Sequence, residues 1–348
     1  MKRIIFTTVL LAAFAVFSNV PIFANGKNDA EKLSVPVQEQ PQMVQEIDVA
    51  PHETIRIGIL NGPTSIPTAY MFDAMPVVDG KSVVFEKFAS PQALLPKMLK
   101  GEIDIGFMPA NVAAKVYNSA NGALLCVGVS GNGNLFLITK DKSVKSLSDL
   151  IGKTVSIAGQ GATPEYLFRW LLARNAIPES ANGVLLDYSI PTADIAAELL
   201  SDKIRYAVVP EPFATVATAK SPDVVRALNM QDEFGAASVQ QKTYPLTVMV
   251  VRASYASLHA VAVRAFKDAF SQSCAWTVAN PQRAGVLVQK NTLGLMAPIV
   301  ANAIPFANFT WKDALDAQSE IEHLLSIFFE FAPDSIGGKL PDEGFYFK

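Results

Sequence analysis

The chain has 348 residues, half of them hydrophobic, and carries 29 lysine and arginine residues against 32 aspartate and glutamate residues, a formal charge of −3 at pH 7. Nucleic-acid-binding domains rely on a basic excess, so this balance argues against a nucleic-acid partner. The two cysteines and three histidines form neither a paired-cysteine motif nor a His-Glu-x-x-His motif, which argues against a bound metal.

The first 50 residues are predicted to lie outside the folded part of the chain. Lys2 and Arg3 precede an apolar run over residues 4–20, and small residues suited to cleavage surround Ala24. This pattern predicts a secretory signal peptide over residues 1–26. An uncleaved membrane anchor is the alternative, because the run approaches the length of a membrane span. Residues 27–50 are rich in Gln, Glu and Pro and predict a flexible leader. We therefore expect a periplasmic or secreted protein.

One pattern occurs twice along the chain. Residues 99–109 and residues 200–210 each begin with leucine, continue with isoleucine four positions later, and end in a short apolar run stopped by proline. The offset is constant at 210 − 109 = 101 residues. Each copy has the order helix, turn, strand, which is the unit of a parallel α/β sheet. The repeat therefore predicts two similar α/β lobes.

The remaining elements follow from apolar periodicity and helix-start signals. Predicted strands cover residues 55–60, 83–88, 103–107, 124–129, 134–139, 154–158, 206–209 and 246–251, and predicted helices cover residues 163–174, 256–279, 282–290 and 311–329. We expect residues 51–136 and 249–348 to form lobe 1 and residues 137–248 to form lobe 2, joined by two hinge crossings. Ligands of open α/β sheets bind beyond the carboxyl ends of the strands, so the cleft between the lobes is the expected site.

Candidate ligand-binding residues lie in loops that follow predicted strands. Residues 61–65 and 161–163 offer hydroxyl and backbone N–H groups where a helix begins, and such unpaired N–H groups favour acceptor atoms. Ordinary helix capping is the alternative role. The repeat adds residues 109–111 and 211–213, and aromatic rings near these loops are candidates for stacking. The predicted ligand-binding residues are Asn61, Gly62, Thr64, Ser65, Phe88, Pro109, Asn111, Gly161, Ala162, Thr163, Tyr166, Glu211 and Phe213.

Glu211 suggests the chemistry of the ligand. A carboxylate in a closed cleft needs a partner, so we expect Glu211 to accept a hydrogen bond from an N–H group of the ligand; a solvated acid in the first turn of a helix is the alternative. These loops contain no arginine or lysine. The pattern therefore favours a neutral or nitrogen-bearing heterocycle over an anion such as a sulfonate or nitrate.

Motifs of catalysis and cofactor binding are missing from the sequence. Gly152-Lys153-Thr154 is not a phosphate-binding P-loop, because Leu147 occupies the position of the first glycine. No Gly-x-Ser-x-Gly elbow occurs. We therefore predict no catalytic residue and no cofactor. Cys126 and Cys274 lie in apolar settings and are expected to be free buried thiols, with a disulfide between them as the alternative.

Three segments resemble a known family. Residues 99–107, 137–155 and 208–213 are similar to the corresponding parts of the solute-binding proteins of ABC importers for sulfonates, taurine, nitrate and thiamine-precursor pyrimidines, and the resemblance extends from about Ile55 to Val288. It implies a monomeric type II periplasmic-binding fold that binds a small molecule and delivers it to an ABC permease and ATPase. Two alternatives remain: an enzyme on the same scaffold, similar to the thiamine-pyrimidine synthases or the menaquinone-pathway dehydratases, and a sensor module without an importer. The predicted signal peptide argues against both enzymes, whose substrates are cytoplasmic.

Overall fold

A computed structural model describes residues 54–348, so the predicted signal peptide and leader lie outside the described residues. The strands are β1 Thr54–Leu60, β2 Val77–Val78, β3 Lys81–Phe88, β4 Ile105–Pro109, β5 Leu124–Asn132, β6 Leu135–Thr139, β7 Lys153–Ile157, β8 Val184–Asp187, β9 Tyr206–Pro210, β10 Val225–Asn229, β11 Pro245–Arg252 and β12 Phe309–Asp313. The helices are α1 Ser65–Ala74, α2 Pro91–Leu99, α3 Ala110–Ser119, α4 Thr163–Arg174, α5 Thr192–Leu200, α6 Phe213–Lys220, α7 Met230–Ala237, α8 Ala253–Leu258, α9 Ala260–Ala279, α10 Pro281–Lys290, α11 Ala297–Ala303 and α12 Gln318–Phe331. None of these helices has both the length and the apolar character that a membrane span requires.

The strands form two sheets, and we call the part of the molecule around each sheet a lobe. Lobe 1 contains the larger sheet, in the order β12-β5-β11-β4-β1-β3-β2, and lobe 2 contains the smaller sheet, in the order β10-β6-β9-β7-β8. In lobe 1, β1 is parallel to β3 and β4; in lobe 2, β7 is parallel to β8 and β9. The two-lobed α/β architecture predicted from the repeat is confirmed, and the two copies of the repeat end in the equivalent strands β4 and β9.

The chain passes between the lobes twice. It leaves the larger sheet between β5 and β6 and returns between β10 and β11. The two crossings lie side by side, because the N–H group of Gly133 donates to the carbonyl oxygen of Tyr244 at 3.0 Å. Asn308, which precedes β12, adds a third segment: its carbonyl oxygen accepts from the N–H group of Asn132 at 3.1 Å.

Two predicted helices differ from the structure. The predicted helix over residues 311–329 is wrong in its first part, where β12 pairs with β5 and only residues from Gln318 onward are helical. The aromatic and β-branched run Phe309-Thr310-Trp311 fits the edge of a sheet better than a helix. The predicted helix over residues 256–279 is interrupted at His259, which separates α8 from α9. The strand predicted over residues 246–251 is confirmed as β11, and the helix predicted over residues 163–174 is confirmed as α4.

The C-terminal helix α12 packs against both lobes. Its buried face consists of Ile321, Leu324, Leu325 and Phe328, and it contacts α3 of lobe 1 and α4 of lobe 2. The ring of Phe328 lies 5.8 Å from the ring of Tyr166 on α4. One apolar core therefore continues from the larger sheet through α12 to the smaller sheet.

The cysteines are free and buried, as the first of the two sequence-based alternatives predicts. Burial raises the pKa of both Cys126 and Cys274 to about 12. Both thiols are therefore protonated and inert at neutral pH.

Candidate functional site

A cavity of about 600 Å³ lies between the two lobes. Its wall is formed by the segments that follow β1, β3 and β4 in lobe 1 and β7, β8 and β9 in lobe 2, together with the first residues of β11. The six contributing strand ends are carboxyl ends of parallel strands. The cavity therefore occupies the position at which open α/β sheets bind ligands, and its volume is in the range of small-molecule sites.

Six helices of the described residues, α1 to α6, begin at this cavity. The residues that bring their N-termini into the wall are Thr64, Ser90, Pro109, Ala162, Pro191 and Phe213. Ser90 caps α2 by accepting a hydrogen bond from the N–H group of Ala93, and the N–H group of Thr215 in the first turn of α6 donates to a carboxylate. The other four helices have no hydrogen bond from an N-cap side chain. Uncapped helix N-termini present backbone N–H donors and the positive end of the helix dipole. The wall is thus rich in donors without carrying a cation.

The described residues of the wall are all uncharged at neutral pH. Among them there is no Asp, Glu, Lys, Arg, His or Cys. Neutral polar groups come from residues such as Asn61, Gln92 and Tyr188, and apolar surface comes from Ile157 and Ile190 among others. Burial raises the pKa of Tyr188 above its usual value, so its phenol stays a neutral hydrogen-bonding group. The described residues of the wall can bind and orient a solute, and they include no strong general base and no activated nucleophile.

Five of the predicted ligand-binding residues line the cavity: Asn61, Thr64, Pro109, Ala162 and Phe213. Others belong to the same loops but turn away from it. Ser65 donates from its hydroxyl to the carbonyl oxygen of Gly62 at 2.9 Å. Gly62 adopts a φ of 97°, and a Cβ atom there would lie 3.1 Å from Cζ of Phe213. Glycine is therefore required at this position for the loops of the two lobes to approach each other.

Phe88 and Tyr166, the two rings predicted as stacking surfaces besides Phe213, are not part of the cavity wall. Phe88 is buried in the apolar core, and Tyr166 packs against that core beside Phe328. The physical reason is their position: Phe88 is the last residue of β3 and faces the core, and Tyr166 lies one turn inside α4. Gly161, Thr163 and Asn111 form a hydrogen-bonded group next to the wall, with Thr163 Oγ1 donating to Asn111 Oδ1 at 3.1 Å.

Glu211 has a basic partner that lies outside the strand-end loops. Its Oε1 accepts from Nε and Nη2 of Arg226 at 2.8 and 2.6 Å, and its Oε2 accepts from the hydroxyl and N–H groups of Thr215 at 2.7 and 3.1 Å. These four bonds use the acceptor capacity of the carboxylate, which is completely buried and absent from the cavity wall. Burial raises the pKa of Glu211, and the Arg226 guanidinium opposes that rise. No acceptor remains free on Glu211 for a ligand.

The sequence reasoning missed two parts of the wall. Residues 188–193 follow β8, a four-residue strand that apolar periodicity did not predict, and residues 89–92 follow β3. A signal was present in each case. Ser90-Pro91 is a hydroxyl residue followed by proline, a typical helix start, and Pro191 directly precedes the first residue of α5. Searching for helix starts after every short apolar run finds both.

The fold agrees with comparisons to known proteins. The model of the NMT1-like family matches residues 50–289, whereas none of the curated proteins matches the chain in sequence. Among solved structures, an ABC transporter protein from Parabacteroides distasonis is 23% identical with a TM-score of 0.71, and the match covers 85% of this chain and 99% of that one. The periplasmic aliphatic sulphonate-binding protein SsuA from Escherichia coli is 19% identical with a TM-score of 0.65, over 83% and 92% of the chains.

An enzyme shares the same fold. The desulfurization enzyme DSZB is 13% identical with a TM-score of 0.56, and the match covers 82% of this chain and 94% of that one. At these identities the similarity establishes the fold, which is the type II periplasmic-binding fold, and leaves the activity to be argued from the cavity.

Proposed function

The chain belongs to the NMT1-like family, and on that premise we propose that it is a solute-binding protein of an ABC importer that encloses a small organic solute between its two lobes. The observation that carries this proposal is the cavity, which is surrounded by helix N-termini and contains no charged or nucleophilic side chain among its described residues. An ABC permease and ATPase are the partners to which such a protein, acting as a monomer, delivers its solute.

The composition of the wall favours binding over catalysis. An enzyme on this scaffold needs a nucleophile or a group that transfers protons at the reacting atom. Both cysteines lie in the core, and the described residues of the wall include no carboxylate, imidazole or amine. A sensor module without an importer would have the same cavity, and it differs from a transport protein in lacking a permease as its partner.

We propose further that the solute carries an acceptor-rich, anionic head group and an apolar body. The sequence-based preference for a nitrogen-bearing heterocycle depended on loops without arginine or lysine and on a free carboxylate at Glu211, and that carboxylate instead bonds to Arg226 and Thr215. Uncapped helix N-termini supply donors that suit oxygen acceptors, as carboxylate, sulfonate and phosphate groups have. Ile157, Ile190 and Phe213 supply apolar surface for the remainder of the solute.

We expect the protein purified without refolding to carry a bound small molecule, and native mass spectrometry to detect it as an added mass. Ala193 lies at the wall and is exposed, so Ala193→Trp fills the cavity without disturbing the core. The Ala193→Trp variant should therefore lack the added mass of the bound small molecule. Ala173→Trp is the matched control, because Ala173 is also exposed on a lobe 2 helix but lies outside the wall. Equal occupancy of the two variants would contradict the proposed site.

Export is a separate expectation, resting on the predicted signal peptide over residues 1–26. The mature protein should begin between Asn25 and Lys27. N-terminal sequencing of protein from the periplasmic fraction tests this. A protein that still begins at Met1 and stays in the membrane fraction would support the membrane-anchor alternative.

A further inference from the structure

Asn111, the second residue of α3, connects the two lobes beside the cavity. Its Nδ2 donates to the carbonyl oxygen of Gly161 at 3.1 Å and to that of Ser335 at 3.2 Å, and its Oδ1 accepts from Thr163 Oγ1 at 3.1 Å. The side chain is completely buried. Asn111 follows β4 of lobe 1, whereas Gly161 and Thr163 follow β7 of lobe 2. Two of its three hydrogen bonds therefore cross between the lobes.

The same residues support the cavity wall. Pro109 lies two residues before Asn111, and Ala162 lies between Gly161 and Thr163; both line the cavity. The bonds of Asn111 thus fix the N-terminus of α4 relative to that of α3. Thr163 is the first helical residue of α4, and the N-cap position is occupied by Ala162, which has no side-chain acceptor. An uncapped helix start held in place by a neighbouring lobe keeps its N–H donors available to a solute.

Only an amide serves all three partners. Two carbonyl oxygens require donors, and the Thr163 hydroxyl requires an acceptor; the asparagine side chain has an NH2 group and an oxygen at the correct ends. An aspartate has the same shape but no donor, and it would place a carboxylate against two carbonyl oxygens in a buried site. The Asn111→Asp change therefore replaces an attraction between the lobes by a repulsion without changing side-chain volume.

We infer that Asn111 is a positioning residue: it holds the N-terminus of α4 at the cavity and sustains a closed population of the molecule even without solute. The inference rests on the proposed function in one respect, since it takes the lobes to move relative to each other as binding lobes do. Contacts on the same side support it. Phe328 of α12 packs near Tyr166, and the ring of Phe331 lies 5.3 Å from Cζ of Arg169, so opening the lobes here would also separate an aromatic pair and a cation–π pair.

The chain offers a matched control two turns further along α3. Nδ2 of Asn118 donates to the carbonyl oxygens of Ile336 and Lys339 at 2.7 and 2.6 Å. These acceptors lie in the same C-terminal segment as Ser335, but neither belongs to lobe 2. Asn118→Asp therefore removes two amide-to-carbonyl bonds without removing a bond between the lobes.

Double electron–electron resonance on solute-free protein tests the inference. Spin labels are attached at Glu86→Cys in lobe 1 and Arg205→Cys in lobe 2, both exposed positions, and the buried native thiols stay unlabelled. The protein is stripped of solute by unfolding and refolding, and native mass spectrometry verifies that it is empty. The labelled protein with Asn111 and Thr163 unchanged should show a population of molecules at the inter-lobe distance of this structure.

One buried hydrogen bond between neutral groups shifts an equilibrium by about two- to tenfold. Thr163→Val should accordingly lower the closed-to-open ratio by about two- to tenfold, and Asn111→Asp by about tenfold or more, while Asn118→Asp leaves it unchanged. If Asn111→Asp fails to fold, the closed-to-open ratio of Thr163→Val tests the inference by itself. The inference is overturned if the unmodified protein shows no closed population, if the lobe-crossing variants match it, or if Asn118→Asp shifts it equally. Because no solute is used, failure of the proposed transport function would leave this result intact.

Discussion

Replacing Arg226 by glutamine is expected to lower the free energy of unfolding by about 3 to 5 kcal/mol at neutral pH, because it leaves a buried carboxylate without its counter-charge. The Glu211 side chain is 0% exposed and that of Arg226 19% exposed, so water replaces little of the lost interaction. The guanidinium also lies 4.2 Å from the ring centre of Phe306, a contact that glutamine cannot reproduce. Urea unfolding followed by circular dichroism measures the loss.

The loss of unfolding free energy in Arg226→Gln should depend on pH in a defined direction. Burial raises the pKa of Glu211 and Arg226 opposes that rise, so removing Arg226 raises the pKa further. The pKa of a glutamate in the unfolded chain is about 4.3. Between that pH and the higher pKa of Glu211 in the folded variant, the folded variant holds a proton that the unfolded chain has released. Its stability therefore falls as pH rises through that interval. We expect the deficit relative to the unmodified protein to be smaller at pH 5 than at pH 7.5.

Arg205→Gln is the matched control for this experiment. Arg205 is exposed in lobe 2, so its replacement should change the free energy of unfolding by no more than about 0.5 kcal/mol at either pH. Similar deficits for the two arginine variants, or a deficit for Arg226→Gln that does not vary with pH, would contradict the assignment of Glu211 and Arg226 as a buried ion pair.

The sequence predicted the features that local patterns determine. The repeat identified β4 and β9 as equivalent strands, and helix-start residues located the loops after β1 and β7 that line the cavity. The partner of Glu211 was not predictable in the same way. Arg226 lies 15 residues further along the chain, on a strand that pairs antiparallel with β6, and only this pairing brings it beside Glu211.

Asn111 illustrates the same limit at the level of a single side chain. Its position after Pro109 at a strand end predicted a residue near the ligand site, and the structure places it next to the wall. Which partner its amide would choose depends on the distance between two lobes that are far apart in sequence: 50 residues separate it from Gly161 and 224 from Ser335. Patterns within one loop carry no information about such contacts.

The charge of the solute should be decided by two substitutions of Pro191, the exposed residue before α5 that lines the cavity. Asparagine and aspartate are N-caps of similar strength, so Pro191→Asn and Pro191→Asp should have similar stability. They differ by one negative charge at the cavity. For an anionic head group about 6 Å away, that charge costs about 3 kcal/mol at an effective dielectric constant of about 20, which is roughly a hundredfold loss of affinity.

The solute identified by its added mass is titrated calorimetrically into both variants. Pro191→Asn should bind slightly less tightly than the unmodified protein, because the asparagine side chain occupies one N–H donor of α5. A further loss of roughly a hundredfold in Pro191→Asp would support the acceptor-rich, anionic head group, since the helix N-termini then act on the charge of the solute. Equal affinities for the two variants would indicate a neutral solute, and tighter binding to Pro191→Asp would indicate a cationic, nitrogen-bearing one; either result would contradict the proposed anion and restore the heterocycle as the better candidate.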